Sequence, residues 1–267
     1  MLNPRLLRRA SLAAHQRWMF TGRLGDPPAL CARPEELARL RRRLRRTPKA
    51  LERPVCVIAG YLDPGVYAWV VARELRRLTT HRRADFLVPR FRLDTGIEPM
   101  AERVVEHLRS RAGEAPTSFD LVGLSMGGLI ARCVARSCAP DERLSVARVF
   151  TLGTPHRGST LAERIAPTEA AREMRPGSDF LRSLDADLGD LDLTCYQMDA
   201  DAVIGDGNGS PPGHPGHRLP RRAGEPHLHV MADPIAILDI ARRLRGEDPI
   251  LLPETPISAK SSTPGPE

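Results

Sequence analysis

Apolar residues cluster into short runs along the chain. Pro54–Gly60, Ala84–Phe91, Phe119–Leu124 and Val146–Leu152 each read as a buried strand. Amphipathic stretches separate them. A turn at Tyr61-Leu-Asp-Pro-Gly leads into a helix through Leu78. Glu98–Arg111 sets Met100, Val104, Val105 and Leu108 at core spacing, and a third helix runs from Gly127 to about Cys138. This alternation predicts an α/β fold: a mostly parallel central sheet with helices on both faces.

After Leu152 the rhythm breaks. Residues 157–190 predict two or three short helices, punctuated by Pro167 and Pro176-Gly177. Placed after a strand and above the expected pocket, they form a lid-like insertion; the plainer alternative is a surface excursion. Leu191–Met198 returns to strand, Gly205–Gly216 is a Gly/Pro-rich segment expected to be mobile, and Arg218–Arg222 gives a weak last strand. Ile235, Leu238, Ile240 and Leu244 mark a final amphipathic helix over Pro234–Leu244.

The central domain thus spans 54–245. Residues 1–53 form a basic helical extension, with apolar stripes at Leu2, Leu6, Leu7, Ala10, Ala13, Ala14 and Trp18 and again at Leu37, Leu40 and Leu44. Residues 246–267, rich in Pro, Ser and Glu, read as a disordered tail.

Composition narrows the possibilities. At 267 residues the chain can bury the core of one α/β domain. Its net charge of +7 rests on arginine, with Lys49 and Lys260 the only lysines. The plain reading is an arginine-biased set of solvated helix faces. Peripheral membrane contact through the basic N-terminal helices is the sharper one. Six Phe, three Tyr and two Trp supply no aromatic-interleaved basic platform, so nucleic acid is not an expected partner. Arg5, Arg8 and Arg9 are followed by no apolar block, which makes the cytoplasm, with or without membrane contact, the expected location. Cys31, Cys56, Cys133, Cys138 and Cys195 form no C-x-x-C and read as free thiols. With no ligand cluster of zinc spacing, neither a metal nor a cofactor is expected. Oligomeric state is not legible.

The candidate chemistry starts at Gly123-Leu-Ser-Met-Gly127, between a strand and a helix. This G-x-S-x-G order places Ser125 on a strained strand-to-helix turn, where a Cβ at Gly123 or Gly127 would strike the neighbouring strand or helix. A serine hydroxyl needs an oriented base to become a nucleophile. In this arrangement the acid follows the serine and the histidine comes last. Asp199, Asp201 and Asp206 compete for the acid; Asp201 is preferred because Ala202-Val203-Ile204 lets the chain turn back into the core. His227 and His229 precede the last helix and point the same way on an extended segment, so spacing does not decide between them. His156, in Gly153-Thr-Pro-His, reads as structural or pocket-lining. Ser159 and Ser178 sit on no such turn, and Ser178 suits a helix N-cap.

Six motifs occur in order: Val57-Ile-Ala-Gly-Tyr61, Gly123–Gly128, Gly153–Ser159, Met174–Leu181, Asp201–Ile204 and His227–Met231. Together they resemble the α/β-hydrolase superfamily, in its bacterial triacylglycerol lipase/esterase-like branch, over about residues 54–245. The resemblance implies Ser125 as nucleophile, Asp201 as acid and His227 as base. It implies backbone N–H groups of Met126 and Tyr61 as the oxyanion hole, and His156 as pocket-lining. The implied function is a serine hydrolase that cleaves small-molecule or lipid carboxylic esters through an acyl-enzyme. The same residues could transfer the acyl group or cut an amide. A reading from another class is a non-catalytic hydrolase-fold scaffold that works through its basic N-terminal helices.

Overall fold

The computed structural model describes residues 34–90, 95–139, 141–220 and 226–251. The elements in chain order are α1 (Pro34–Arg46), β1 (Val55–Ile58), α2 (Val66–Leu78), β2 (Phe86–Leu87), α3 (Ile97–Ala112), β3 (Thr117–Leu124), α4 (Met126–Cys138) and β4 (Leu144–Leu152). Then follow α5 (Thr160–Arg164), α6 (Glu169–Glu173), α7 (Asp179–Ala186), β5 (Leu193–Met198), β6 (Gly216–Leu219), α8 (Pro226–Val230) and α9 (Pro234–Leu244). The six strands lie in the order β2-β1-β3-β4-β5-β6, and every neighbouring pair is parallel.

Strand alternation divides the core between two faces. Val55 and Val57 of β1 and Val122 and Leu124 of β3 point to the face covered by α1, α2, α8 and α9. Cys56, Ile58, Phe119 and Leu121 point to the face covered by α3, α4 and the 157–190 insertion. After β2 the chain crosses back over β1 to build the rest of the sheet on the other side. That makes the carboxyl ends of β1 and β3 the switch point, where open α/β sheets form their crevice.

Three expectations change. The second strand shrinks to Phe86–Leu87, preceded by a 3-10 turn at Arg83–Asp85. Pro89 follows it and lacks the N–H a ladder needs. The last strand starts at Gly216 rather than Arg218, pairing Cys195–Met198 with Gly216–Leu219. The Gly/Pro-rich segment before it is anchored: Gln197 Oε1 accepts the Gly209 N–H at 3.2 Å, and the Arg157 side chain donates to the carbonyls of Ser210 and Pro211.

Both ends of the central domain extend further than the apolar pattern suggests. Helix α1 buries Leu37 and Leu44 in the core, and Arg41 and Arg45 hold the buried Glu74 of α2 at 2.7 and 2.6 Å. Residues 246–251 are bound to the domain. The buried Asp239 accepts the N–H of Ile250 at 2.5 Å and of Leu251 at 2.9 Å. The apolar stripe of residues 2–18 and the tail beyond Leu251 lie outside the described residues.

Candidate active site

Ser125 follows β3 and caps α4 with φ 51° and ψ −125°, a region that costs a non-glycine residue about 1–3 kcal/mol. Tight packing imposes it. A Cβ on Gly123 would collide with the backbone of Gly127 and Gly128, and one on Gly127 with the carbonyls of Ile58 and Ala59. Only with both positions bare can the chain reverse this sharply. The turn is pinned by Ser125 N–H on the Leu152 carbonyl at 2.8 Å and by Thr154 Oγ1 on the Ser125 carbonyl at 2.8 Å.

His227 Nδ1 lies 2.8 Å from Asp201 Oδ2, and its Nε2 lies 3.0 Å from Ser125 Oγ. An ionised carboxylate only accepts, so Nδ1 carries the proton and Nε2 is left to accept the serine O–H. Ser125, Asp201 and His227 are 9%, 2% and 7% exposed, so little water competes for these bonds. Asp201 is fixed by its other oxygen, which accepts the N–H groups of Val203 and Ile204 at 2.9 and 3.2 Å. Ile204 is buried, as the turn back into the core requires.

The rivals are engaged elsewhere. Asp199 pairs with Arg218 at 2.7 Å on the surface, and Asp206 accepts the Ala200 N–H at 3.0 Å. The segment carrying the histidines is the short helix α8, not the extended chain expected. Pro226 opens it, since its fixed φ and missing N–H suit a first helical turn. Two residues apart on a helix point to different sides, so His227 faces the site while His229 is directed away. His227 also rests over Gly153, where an added Cβ would lie 3.6 Å from its ring and strike Val230.

His156 is fully buried and does not line an opening. It meets Arg132 Nη1 through Nδ1 at 3.2 Å, and Thr151 Oγ1 through Nε2 at 3.0 Å. Burial, then the neighbouring Arg132 charge, holds its pKa well below the usual histidine value, so it stays neutral. Arg132 continues to the Leu184 carbonyl and Asp185, tying α4 to α7. Such a link between elements far apart in sequence leaves no local signal.

Met126 is the first residue of α4, so its N–H has no intrahelical partner. Tyr61 follows Gly60, whose added Cβ would lie 3.0 Å from Ser125 Cβ. Gly60, the residue before Tyr61, therefore packs directly against the serine. The Tyr61 phenol also bonds Thr168 Oγ1 at 3.0 Å, and Thr168 caps α6 by accepting the Ala171 N–H. Ser159 and Ser178 cap α5 and α7 in the same way. The insertion is part of the core, burying Ala162, Ala170, Met174, Leu181 and Leu184. The four described cysteines are buried and free, and burial pushes the Cys133 thiol up to about 12. Among the described residues no group of three or more metal-ligating side chains gathers.

The parallel sheet, its switch-point crevice and the strand–serine–helix elbow define an α/β-hydrolase fold. Comparison with known proteins agrees. Residues 79–188 match the family described as palmitoyl protein thioesterase. Triacylglycerol lipases of Pseudarthrobacter phenanthrenivorans and Burkholderia plantarii are each 31% identical over 114 residues, 42% of this chain. Those matches span 34% and 31% of the two lipases, about a third of their length. In three dimensions the mature Bacillus licheniformis lipase BlEst2 is similar over 74% of this chain and 94% of its own, with TM-score 0.50 and 14% identity. Aspergillus fumigatus lipase B is similar over 74% and 53%, with TM-score 0.52 and 15% identity. The structural likenesses show the α/β-hydrolase fold.

Proposed function

We propose that the protein is a serine hydrolase of carboxylic esters. The observation that carries this reading is the hydrogen-bonded series Ser125 Oγ–His227 Nε2 and His227 Nδ1–Asp201, at 3.0 and 2.8 Å, on a turn that strains the serine. In this reading His227 takes the hydroxyl proton as Ser125 attacks the ester carbonyl, and Asp201 holds the ring and offsets its charge. The N–H groups of Met126 and Tyr61 receive the oxyanion, each donor contributing about 2.7–4 kcal/mol to the transition state. His227 then protonates the leaving alkoxide, and water, activated by the same base, releases the acid and restores Ser125. Leu161 and Ile165, exposed on and just after α5 beside the Asp201 loop, favour a substrate with an apolar portion.

The match to the thioesterase family over 79–188 favours a second reading, in which the bond cleaved is an acyl thioester. Its tetrahedral chemistry is the same, with a thiolate leaving. A fluorophosphonate should label Ser125 in the native protein and spare the Ser125→Ala variant. A chain-length series of p-nitrophenyl esters against matched acyl thioesters distinguishes the two substrates. Full ester hydrolysis by Ser125→Ala would overturn both readings.

A further inference from the structure

One face of α2 carries no part of the active site and is built in two halves. Val66, Trp69, Arg73 and Arg76 recur at helical spacing on its outer side, and Leu62 precedes them in the turn after Tyr61. Leu62, Val66 and Trp69 are 71%, 39% and 46% exposed, three of the large apolar side chains that the described surface leaves in water. The other half is cationic. Trp69, Arg73, Arg76, Arg83, Phe86 and Val88 line a groove of about 310 Å³ between α2 and the edge strand β2.

The carboxylates next to this groove among the described residues are engaged elsewhere. Asp63 accepts the N–H groups of Gly65, Val66, Tyr67 and Ala68, Glu74 is held by Arg41 and Arg45, and Asp85 by Thr80 and Arg82. The Arg73 guanidinium lies over the Trp69 ring at 5.4 Å, and Arg76 and Arg83 form no ion pair among the described residues. The crowding is felt next door: Arg77 is held below the usual guanidinium value by burial and then by Arg73, Arg45 and Arg76.

We propose that this face docks the protein on an anionic phospholipid surface, with lipid phosphates in the Arg73–Arg76–Arg83 groove and Leu62, Val66 and Trp69 set among the headgroups. Charge complementarity selects the phosphate, and the apolar half selects a lipid surface over a dissolved anion. A soluble phosphate would engage the arginines and gain nothing from Leu62 or Val66, whereas an indole beside guanidinium groups suits a membrane interface. Because Leu62 adjoins Tyr61, and Gly60 touches Ser125, docking here brings the serine crevice close to the membrane plane. The contact falls on α2 and the β2 edge rather than on the N-terminal helices.

The test is co-sedimentation of the full chain with phosphatidylcholine vesicles, with and without phosphatidylserine. Binding should require the anionic lipid and weaken with salt. Arg73→Gln/Arg76→Gln/Arg83→Gln should lower affinity on the order of a hundredfold, about fivefold per arginine. The matched Arg39→Gln/Arg42→Gln/Arg43→Gln variant, with the same charge loss on the exposed side of α1, should lose at most a few-fold. Equal losses in the two triples would reduce the effect to diffuse charge and overturn the proposal, as would equal binding to neutral vesicles. Glycerol phosphate binding the groove while vesicles are ignored would overturn it in favour of a small-phosphate site. A Trp18→Phe chain supplies a readout independent of the arginine variants. Trp69 fluorescence should shift to the blue on anionic vesicles, and no shift counts against the docking.

Discussion

The phenol of Tyr61 is hydrogen-bonded at 3.0 Å to Thr168 Oγ1, across 107 residues of chain. It joins the turn after β1, which carries one of the two proposed oxyanion donors, to the cap of a helix in the insertion. A bond of this kind contributes about 1 kcal/mol net. If it positions the Tyr61 amide, Tyr61→Phe and Thr168→Val should each lower kcat/KM about fivefold, and the double variant should lose no more than either single one. Steady-state kinetics of the cycle decide this; additive losses would mean that the two side chains act separately.

The pairings of the rival acids and histidines predict a sharp asymmetry. His227→Ala and Asp201→Asn should reduce kcat by about three to six orders of magnitude. His229→Ala and Asp199→Asn should stay within a few-fold of the parent, because Asp199 spends its charge on Arg218 at the surface. Kinetics on a soluble ester, with circular dichroism to verify folding, separate the four variants.

The strain at Ser125 should be visible as stability. Glycine adopts a φ of 51° without penalty, whereas alanine bears the same cost as serine. Ser125→Gly should therefore be more stable than Ser125→Ala by about 1–2 kcal/mol, with both inactive. Urea unfolding of the two variants measures the difference. Equal stabilities would show that the turn is unstrained.

His156 predicts a pH dependence of folding. Its folded pKa is depressed, so below the ordinary value the unfolded chain takes up a proton that the folded one refuses. Stability from this group is complete above about pH 6.5 and is lost as pH falls, by about 1.4 kcal/mol per unit. His156→Gln should be less stable at neutral pH but show a flatter decline between about pH 6.5 and 5. Chemical denaturation across that window tests it; an unchanged slope would remove His156 as the source.

Local rules are where sequence and structure agree best. The elbow was legible because Gly123 and Gly127 answer a steric demand confined to a few residues, and the strands because alternate side chains must fill both faces. The preference for Asp201 rests on a local rule too, the return of Ala202-Val203-Ile204 to the core, and Ile204 is buried there. The conformation of 226–230 was misread from its two histidines, although Pro226 already offered a helix start. The buried Arg132–His156 contact, the Tyr61–Thr168 bond and the clamp of Asp239 on Ile250 and Leu251 could not be read, because each joins segments with no relation in the local pattern. The stripe on α2 is illegible for a similar reason. Val66 and Trp69 look like core residues until the fold shows which side of the helix faces the sheet.

The three residues of the proposed centre arise at widely spaced moments of synthesis. Ser125 leaves the ribosome about a hundred residues before His227, and the strand that leads to α8 is the last in the chain and lies at the sheet edge. Until then a nascent chain holds a serine with no base and a carboxylate with no partner. Parallel pairing of distant strands is also slow to form. If these three residues carry the proposed chemistry, a partly made or partly folded chain lacks it, and competence comes only once the segment bearing His227 is in place.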